Sequence, residues 1–172
     1  RVLEGREKSL GPDHPDTISS VESLGIVLEN QGHYEKAESM FRRVLEGWEK
    51  TLGPDHPNTL NGLLNLGSSL QVQGQYEKAE ALYRQALRGQ EKELGPEHPD
   101  TLASIDGLAI ALASQGQYEK AEQLHRRALE GREKVLGPNH PDTLVSVDNL
   151  CNTLKRQGRH QEAEAMRRRA LG

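Results

Sequence analysis

Aromatic residues, cysteine and long apolar runs are all scarce in this chain of 172 residues. Aromatic side chains make up 3% of it and hydrophobic residues 34%, so a folded core has to be built from aliphatic side chains placed at regular intervals. The single cysteine, Cys151, excludes an intrachain disulfide and fits a reducing, cytoplasmic setting. No run approaches the roughly 18 apolar residues of a membrane-spanning helix, and no stretch has the form of a signal peptide.

A strong excess of either charge is absent as well. The formal net charge is −4, with 22 Lys and Arg residues spread along the chain. Nucleic acid or an anionic membrane surface is therefore not expected as a partner. The chain begins with Arg1 rather than methionine, and we expect it to be a piece of a longer protein.

What the chain does contain is a repeat of 42 residues. Two short blocks recur in register, one of the form LGPxHP and one of the form QGxYEKAE. The first block stands at 10–15, 52–57, 94–99 and 136–141, and the second at 31–38, 73–80, 115–122 and, in a looser form, 157–164. Residues 52–93 and 94–135 are identical at 24 of 42 positions without a gap. Such a period predicts stacked supersecondary units that share a continuous core.

Each repeat contains two segments with the apolar spacing of an α-helix. In the first segment apolar residues recur at intervals of three, three and four, which places them on one face of a helix. These apolar columns are Ile18, Val21, Leu24 and Leu28; Leu60, Leu63, Leu66 and Leu70; Leu102, Ile105, Leu108 and Leu112; and Leu144, Val147, Leu150 and Leu154. The second segment is rich in Ala, Leu, Glu, Lys, Gln and Arg, which favour helices. Each repeat is therefore predicted to be a helical hairpin, and no stretch has the pattern of a strand.

A lone hairpin cannot cover its apolar face, so the repeats are predicted to stack as one all-α solenoid over residues 1–172. First helices are expected near 16–31, 58–73, 100–115 and 142–157, and second helices near 34–52, 76–94 and 118–136. Full hairpins therefore span 16–52, 58–94 and 100–136, with a partial second helix at 1–10 and a truncated hairpin at 142–172. In the truncated hairpin, His160 and Arg167 replace the Tyr34 and Phe41 of the first one. We expect it to fray first.

The LGPxHP block is interpreted as the joint between hairpins. In the second copy Leu52 ends a helix, Gly53 suits the left-handed residue after it, and Pro54 prevents continuation. Pro57 fits the first turn of the next helix, and the sequence leaves open whether His56 or a neighbour is the cap. As metal ligands the four copies of this histidine would stand about 10 Å apart, whereas zinc needs its ligands about 2 Å from one centre. A structural role is favoured, with no metal and no cofactor.

The hairpin resembles the tetratricopeptide repeat (TPR), with Leu24–Gly25 in its first helix, Gly32 at the turn and Tyr34, Ala37 and Phe41 in its second helix. The 42-residue period and the LGPDHPDT joint resemble the kinesin light chain subtype. The sequence RRVLEGWEKTLGPDHPNTL is also similar to the C-terminal repeats of fungal NOD-like receptors, which follow a NACHT or NB-ARC module. No GxxxxGK[ST] phosphate loop is present, so any ATPase part lies outside this chain.

The resemblance implies a right-handed superhelical solenoid whose first helices line a concave face. It also implies a scaffold for protein–protein interaction rather than an enzyme, such as the sensing or docking arm of a larger receptor-like protein. The chain itself offers no nucleophile beside a base, no carboxylate pair in a pocket and no cluster of metal ligands. No catalytic residue is therefore assigned.

First-helix positions off the buried stripe differ most among the repeats, so they are the candidate partner-binding residues of the concave face. They are Glu22, Ile26, Glu29, Asn65, Ser68, Gln71, Asp106, Ile110, Asp148, Asn149, Asn152 and Lys155. Asn65 and Asn149 match the asparagines with which the kinesin light chain family holds an extended peptide, whereas Ser23 and Gly107 break that series. Acidic residues dominate early and Lys155 is basic, so a peptide or protein ligand is expected to place its basic residues toward the early repeats.

A different class of function remains open. The array could be a structural spacer or a self-assembly module with no ligand in its groove. The partial second helices at the two ends belong to the same element of the repeat, so copies could stack head to tail, and such contacts generate filaments when they do not close.

Three further residues invite a chemical role. Cys151 replaces a glycine or alanine of the other repeats and is expected to be a small packing residue rather than a nucleophile. Trp48 lies in an otherwise polar column and is predicted to be exposed, either as an anchor for a partner or without a role. His125 stands where other repeats have an aromatic residue, which favours a packing variant over a general base.

Overall fold

The computed structural model describes residues 2–171, and over that range the chain forms nine α-helices and no strand. The helices are α1 (Val2–Leu10), α2 (Pro15–Asn30), α3 (Tyr34–Leu52), α4 (Pro57–Val72), α5 (Tyr76–Glu93), α6 (Pro99–Ser114), α7 (Tyr118–Leu136), α8 (Pro141–Arg156) and α9 (His160–Leu171). Each boundary lies within one residue of the predicted one. The all-helical fold class is confirmed.

The chain divides into two compact units. Unit 1 ends at Gly89 and unit 2 begins at Gln90, so the division falls within α5. In unit 1, α2 packs against α1 and α3, and α3 packs against α4. In unit 2, α7 packs against α6 and α8, and α8 packs against α9. The organisation of residues 1–172 as one array stays a prediction.

The cores of both units consist mainly of the predicted apolar columns. All four members are buried in α4 and in α6, and three of four are buried in α8, where Leu144 is half-buried. In α2, Ile18 and Val21 are buried but Leu24 is 38% exposed and Leu28 half-buried. The stripe of α2 is therefore less completely buried than those of the other first helices.

The joints between hairpins are held by their own histidine and threonine. Gly53 has a φ of 89° and donates its N–H to the Glu49 carbonyl, which ends α3. Nδ1 of His56 accepts the Asn58 N–H at 3.1 Å, so the histidine is the N-cap that the sequence left open. The equivalent caps are His14, His98 and His140, each at 3.2 Å. Oγ1 of Thr59 also donates to the Gly53 carbonyl at 2.7 Å, which ties the start of α4 back to the end of α3.

Candidate functional site

The predicted site residues of unit 1 lie on α2 and α4 and include one contact between these helices. Nδ2 of Asn65 donates to Oε1 of Glu22 at 2.8 Å. Burial raises the pKa of the Glu22 carboxyl, and the hydrogen bond from Asn65 only partly offsets it. Ile26 and Ser68 are exposed to solvent. Unit 1 therefore exposes the apolar side chain of Ile26 and the hydroxyl of Ser68, together with the Glu22 carboxylate, which accepts a hydrogen bond from Asn65.

Glu29 and Gln71 are the most unsatisfied of the predicted residues. Each is partly buried and carries a side-chain oxygen that is buried without a hydrogen-bond partner among the described residues. Burial raises the pKa of the Glu29 carboxyl. Burial, followed by the charge of Glu29, raises the pKa of the Tyr83 hydroxyl to about 12. Both effects identify a poorly solvated acidic position on α2.

Unit 2 contains a cavity of about 200 Å³ on its first helices. Three predicted site residues line it together: Ile110, Asn149 and Asn152. The rest of the lining is Ala113, Ser114, His125, Thr153 and Arg156. The asparagine amides can both donate and accept, and the guanidinium of Arg156 can hold a carboxylate. The cavity can therefore take an apolar side chain on Ile110 while the amides bind a peptide backbone.

The other two α8 site residues lie outside the cavity lining. Asp148 is exposed and accepts a hydrogen bond from Nη2 of Arg167 at 2.5 Å. Lys155 is exposed at the C-terminal end of α8, next to Arg156. Both side chains remain accessible to a partner.

Asp106 differs from every other predicted site residue because it is only 7% exposed. Its Oδ1 accepts from Nδ1 of His125 at 3.2 Å, and its Oδ2 accepts from Nη1 of Arg132. Nη1 of Arg132 also donates to Oγ of Ser146. The carboxylate is thus engaged by two side chains of its own unit, and this network was not evident from the sequence.

The prediction that Trp48 is exposed was wrong. Its side chain is 4% exposed and packs with Ile18, Val21 and Val44. Of the polar residues in the same column, Gln90 and Arg132 are buried and Arg6 is partly buried, and each forms a hydrogen bond with a serine 14 residues later. These pairs are Arg6 with Ser20, Gln90 with Ser104 and Arg132 with Ser146. The residue 14 positions after Trp48 is Gly62 rather than serine. The polar residue and the serine are thus both replaced in the same repeat, and this paired replacement in the sequence indicated that the two positions are in contact.

The packing role of Cys151 is confirmed. The residue is 1% exposed, and its Sγ donates to the Ala163 carbonyl at 3.3 Å. Burial raises the pKa of the thiol, which opposes formation of a nucleophilic thiolate. In the same column a Cβ added to Gly25 would lie 2.8 Å from the Phe41 ring, so the column needs small residues.

Two further features bear on the class of site. Among the residues that the structure describes, no group of three or more His, Cys, Asp or Glu side chains could hold a metal ion. No helix within residues 2–171 is both long and apolar enough to cross a bilayer.

The chain matches a known repeat family along its whole length. The tetratricopeptide repeat profile matches residues 1–50, 20–92, 60–134 and 103–172. No curated protein matches the chain at a significant level.

Several solved structures share the fold. The nearly identical TPR-like repeats of a kinesin light chain-like protein from Podospora anserina are 29% identical with a TM-score of 0.84, over 99% of this chain and 81% of that one. BtubC (BKLC) from P. vanneervenii is 22% identical with a TM-score of 0.85, over 98% and 67% of the two chains. The apo form of RapI is 19% identical with a TM-score of 0.83, over 99% of this chain and 60% of RapI. At these identities the last two show a common fold alone.

Proposed function

This chain belongs to the tetratricopeptide repeat family, whose members generally mediate protein–protein interactions, and on that premise we propose that it is a scaffold that binds a peptide or protein on the concave face formed by its first helices. The repeat is a scaffold type of fold rather than an enzymatic one, and the proposed function needs neither metal nor cofactor. The contacts that bind the partner are hydrogen bonds to its backbone and apolar pockets for its side chains.

The cavity of unit 2 is the observation that carries this proposal. Its lining combines Ile110, Asn149 and Asn152, which the sequence singled out as variable positions off the core. Ile110 and Ala113 are the apolar residues of this lining, and its other six residues are polar groups that can fix the orientation of a ligand. Arg156 on the same lining favours a carboxylate in this part of the ligand.

The charges of the two units favour one orientation of the ligand. Unit 1 contributes Glu22 and Glu29, both of which are disfavoured as carboxylates by burial. A cationic side chain of the ligand would stabilise their charged form. Unit 2 contributes Lys155 and Arg156. We therefore propose that basic ligand residues contact the early first helices and that an acidic group contacts the Lys155 and Arg156 end of α8.

The wider setting of the scaffold rests on its sequence. The resemblance of the repeat tails to those of fungal NOD-like receptors supports a role as the sensing or docking arm of a larger receptor-like protein. The single free cysteine fits a cytoplasmic location. Nucleic acid and membrane are not proposed as partners, because the chain has no basic excess.

The test is selection of a displayed random-peptide library on the immobilised protein, followed by calorimetry with the enriched peptides. We expect a Kd near 1 µM, about −8 kcal/mol, for an ordinary single peptide. Asn149→Ala/Asn152→Ala should weaken binding by about tenfold or more, since two hydrogen-bonding amides are lost. Gln123→Ala/Gln161→Ala is the matched control, because it removes two exposed amides from α7 and α9 instead.

Equal affinity of the cavity variant and the control would contradict binding at the cavity. Peptides that bind wild type but not Lys155→Glu/Arg156→Glu, and that carry an acidic end, would support the proposed orientation. Acidic residues selected at the unit 1 end would contradict it.

A spacer or self-assembly module is the second candidate. It is favoured by the exposure of Leu24 and Val27 on α2, which leaves apolar side chains available to another copy. Light scattering over a range of concentrations separates the two functions. A monomer at all concentrations would contradict head-to-tail assembly, whereas growth with concentration and no selected peptide would favour it.

A further inference from the structure

The apolar columns are similar in different repeats, so they do not specify which hairpin packs against which. The first helices α4 and α6 bury leucine or isoleucine at the same four columns, and the hairpins carry the same joints. Hydrophobic burial is non-directional and depends on area rather than identity. A second helix could therefore pack with similar energy on the first helix of a different repeat or of a second copy.

Buried polar residues, by contrast, differ from repeat to repeat. In unit 2, Arg132 of α7 donates to Asp106 of α6 and to Ser146 of α8, and His125 of α7 donates to the same Asp106 at 3.2 Å. All four residues are less than a tenth exposed. One side chain of α7 thus bonds to both helices that pack against it.

Three columns of this network differ between unit 2 and the repeat immediately before it. Forty-two residues before Asp106 and His125 stand Leu64 and Tyr83, an apolar and an aromatic residue. Forty-two residues before Arg132 stands Gln90, which still meets a serine hydroxyl, because Oγ of Ser104 donates to its side-chain oxygen. The Asp106 carboxylate and the His125 and Arg132 side chains that donate to it therefore occur together in unit 2 and are absent together one repeat earlier.

Packing of α7 against the wrong first helix would separate His125 and Arg132 from the Asp106 carboxylate. If α7 packed beside α4, which has Leu64 in the Asp106 column, Arg132 would be enclosed without a counter-charge and His125 would lose its hydrogen-bond acceptor. Breaking a buried ion pair is strongly destabilising, whereas replacing the whole set by apolar groups is often neutral. Compared with a set of apolar residues, the network therefore adds little stability to the correct helix pairing. It strongly destabilises an incorrect pairing.

We propose that the Asp106–His125–Arg132–Ser146 network is a specificity determinant that disfavours pairing of α7 with α4, the first helix that has leucine in the Asp106 column. It opposes pairing of α7 with α4 of the same chain during folding, and with α4 of a second copy.

The test compares refolding of wild type with that of Asp106→Leu/His125→Tyr/Arg132→Gln, which copies the residues found one repeat earlier. Each protein is unfolded in urea, refolded at micromolar and at near-millimolar concentration, and analysed by size exclusion with light scattering. We expect wild type to return to its starting state at both concentrations. The copy variant should keep its helical content and urea midpoint but form exchanged oligomers, about tenfold more at high concentration.

Asp148→Asn/Arg167→Gln is the matched control, because it removes one charge of each sign from an exposed pair. It should refold like wild type. If the copy variant does not fold, Asp106→Leu/His125→Tyr/Arg132→Met provides a fully apolar second variant. Clean refolding of either variant at high concentration would overturn the proposal. So would loss of helical structure in both, because the network would then supply stability rather than discrimination.

Discussion

In unit 1 two buried columns of α3 hold Phe41 and Trp48, and in unit 2 the same columns of α7 hold His125 and Arg132. An aromatic ring is held by many small dispersion contacts, so no single neighbour is indispensable. His125 and Arg132 instead depend on the Asp106 carboxylate, and losing that partner leaves buried polar groups unsatisfied. Equal burial of the two columns therefore does not mean equal sensitivity to substitution.

The largest expected effect is that of Asp106→Ala. It leaves His125 and Arg132 buried without a carboxylate, and we expect a loss of about 3–5 kcal/mol in the free energy of unfolding. Asp148→Ala removes an exposed aspartate one repeat later and should cost at most about 1 kcal/mol. Urea denaturation of both variants measures the difference. Similar midpoints would mean that the buried network contributes no more than a surface ion pair.

A smaller effect is expected at the column that faces the aromatic rings. A Cβ added to Gly25 meets the Phe41 ring at 2.8 Å, so Gly25→Ala should destabilise unit 1 by about 1–3 kcal/mol through overpacking. Unit 2 already has Ala109 in this column, opposite the smaller His125. Ala109→Gly should cost about 1 kcal/mol through helix propensity alone. Thermal unfolding of the two variants checks the contrast, and a stabilised Gly25→Ala protein would refute it.

The next comparison concerns the second helices themselves. Five residues of α3 are buried, among them Phe41 and Trp48, whereas in α9 Ala163 is buried and Met166 and Ala170 only partly so. We expect the amides of residues 142–172 to exchange with solvent faster than those of α3, by about tenfold or more. Hydrogen exchange followed by mass spectrometry measures both segments at once. Equal protection of the two segments would contradict this prediction, because α9 would then be packed as stably against α8 as α3 is against its neighbours.

The smallest expected effect is the pH dependence contributed by Glu29. Burial raises the pKa of this carboxyl, so its contribution to stability is fully present below the unfolded pKa and is lost as the pH rises through the folded pKa. Glu29→Gln copies Gln71 of the next repeat and should stabilise unit 1 at neutral pH by less than about 1 kcal/mol, because the group is partly exposed. At acidic pH the two proteins should converge. A Glu29→Gln variant that is less stable than wild type at neutral pH would contradict this prediction.

Much of the fold could be predicted because it is encoded locally. Apolar spacing identified the helices, and the Gly–Pro joints set their ends to within one residue. Of the candidate site, Ile110, Asn149 and Asn152 do line one cavity. Asp106 was grouped with them because it lies in the same variable column as Glu22, yet it is buried and bonded to His125 and Arg132 of α7. Its partners are 19 and 26 residues away, beyond the reach of a helical pattern.

By itself the sequence determined the repeat, the all-helical hairpins and the small column that contains Cys151, since these depend on backbone preferences and on spacing within one helix. Only the tertiary structure decided which polar columns face solvent. Trp48 and Arg132 occupy the same position in their helices, and periodicity assigned that position to the surface. Both are buried, because the first helix of the same hairpin covers that side and supplies Ile18 and Val21 in unit 1 and the Asp106 carboxylate in unit 2.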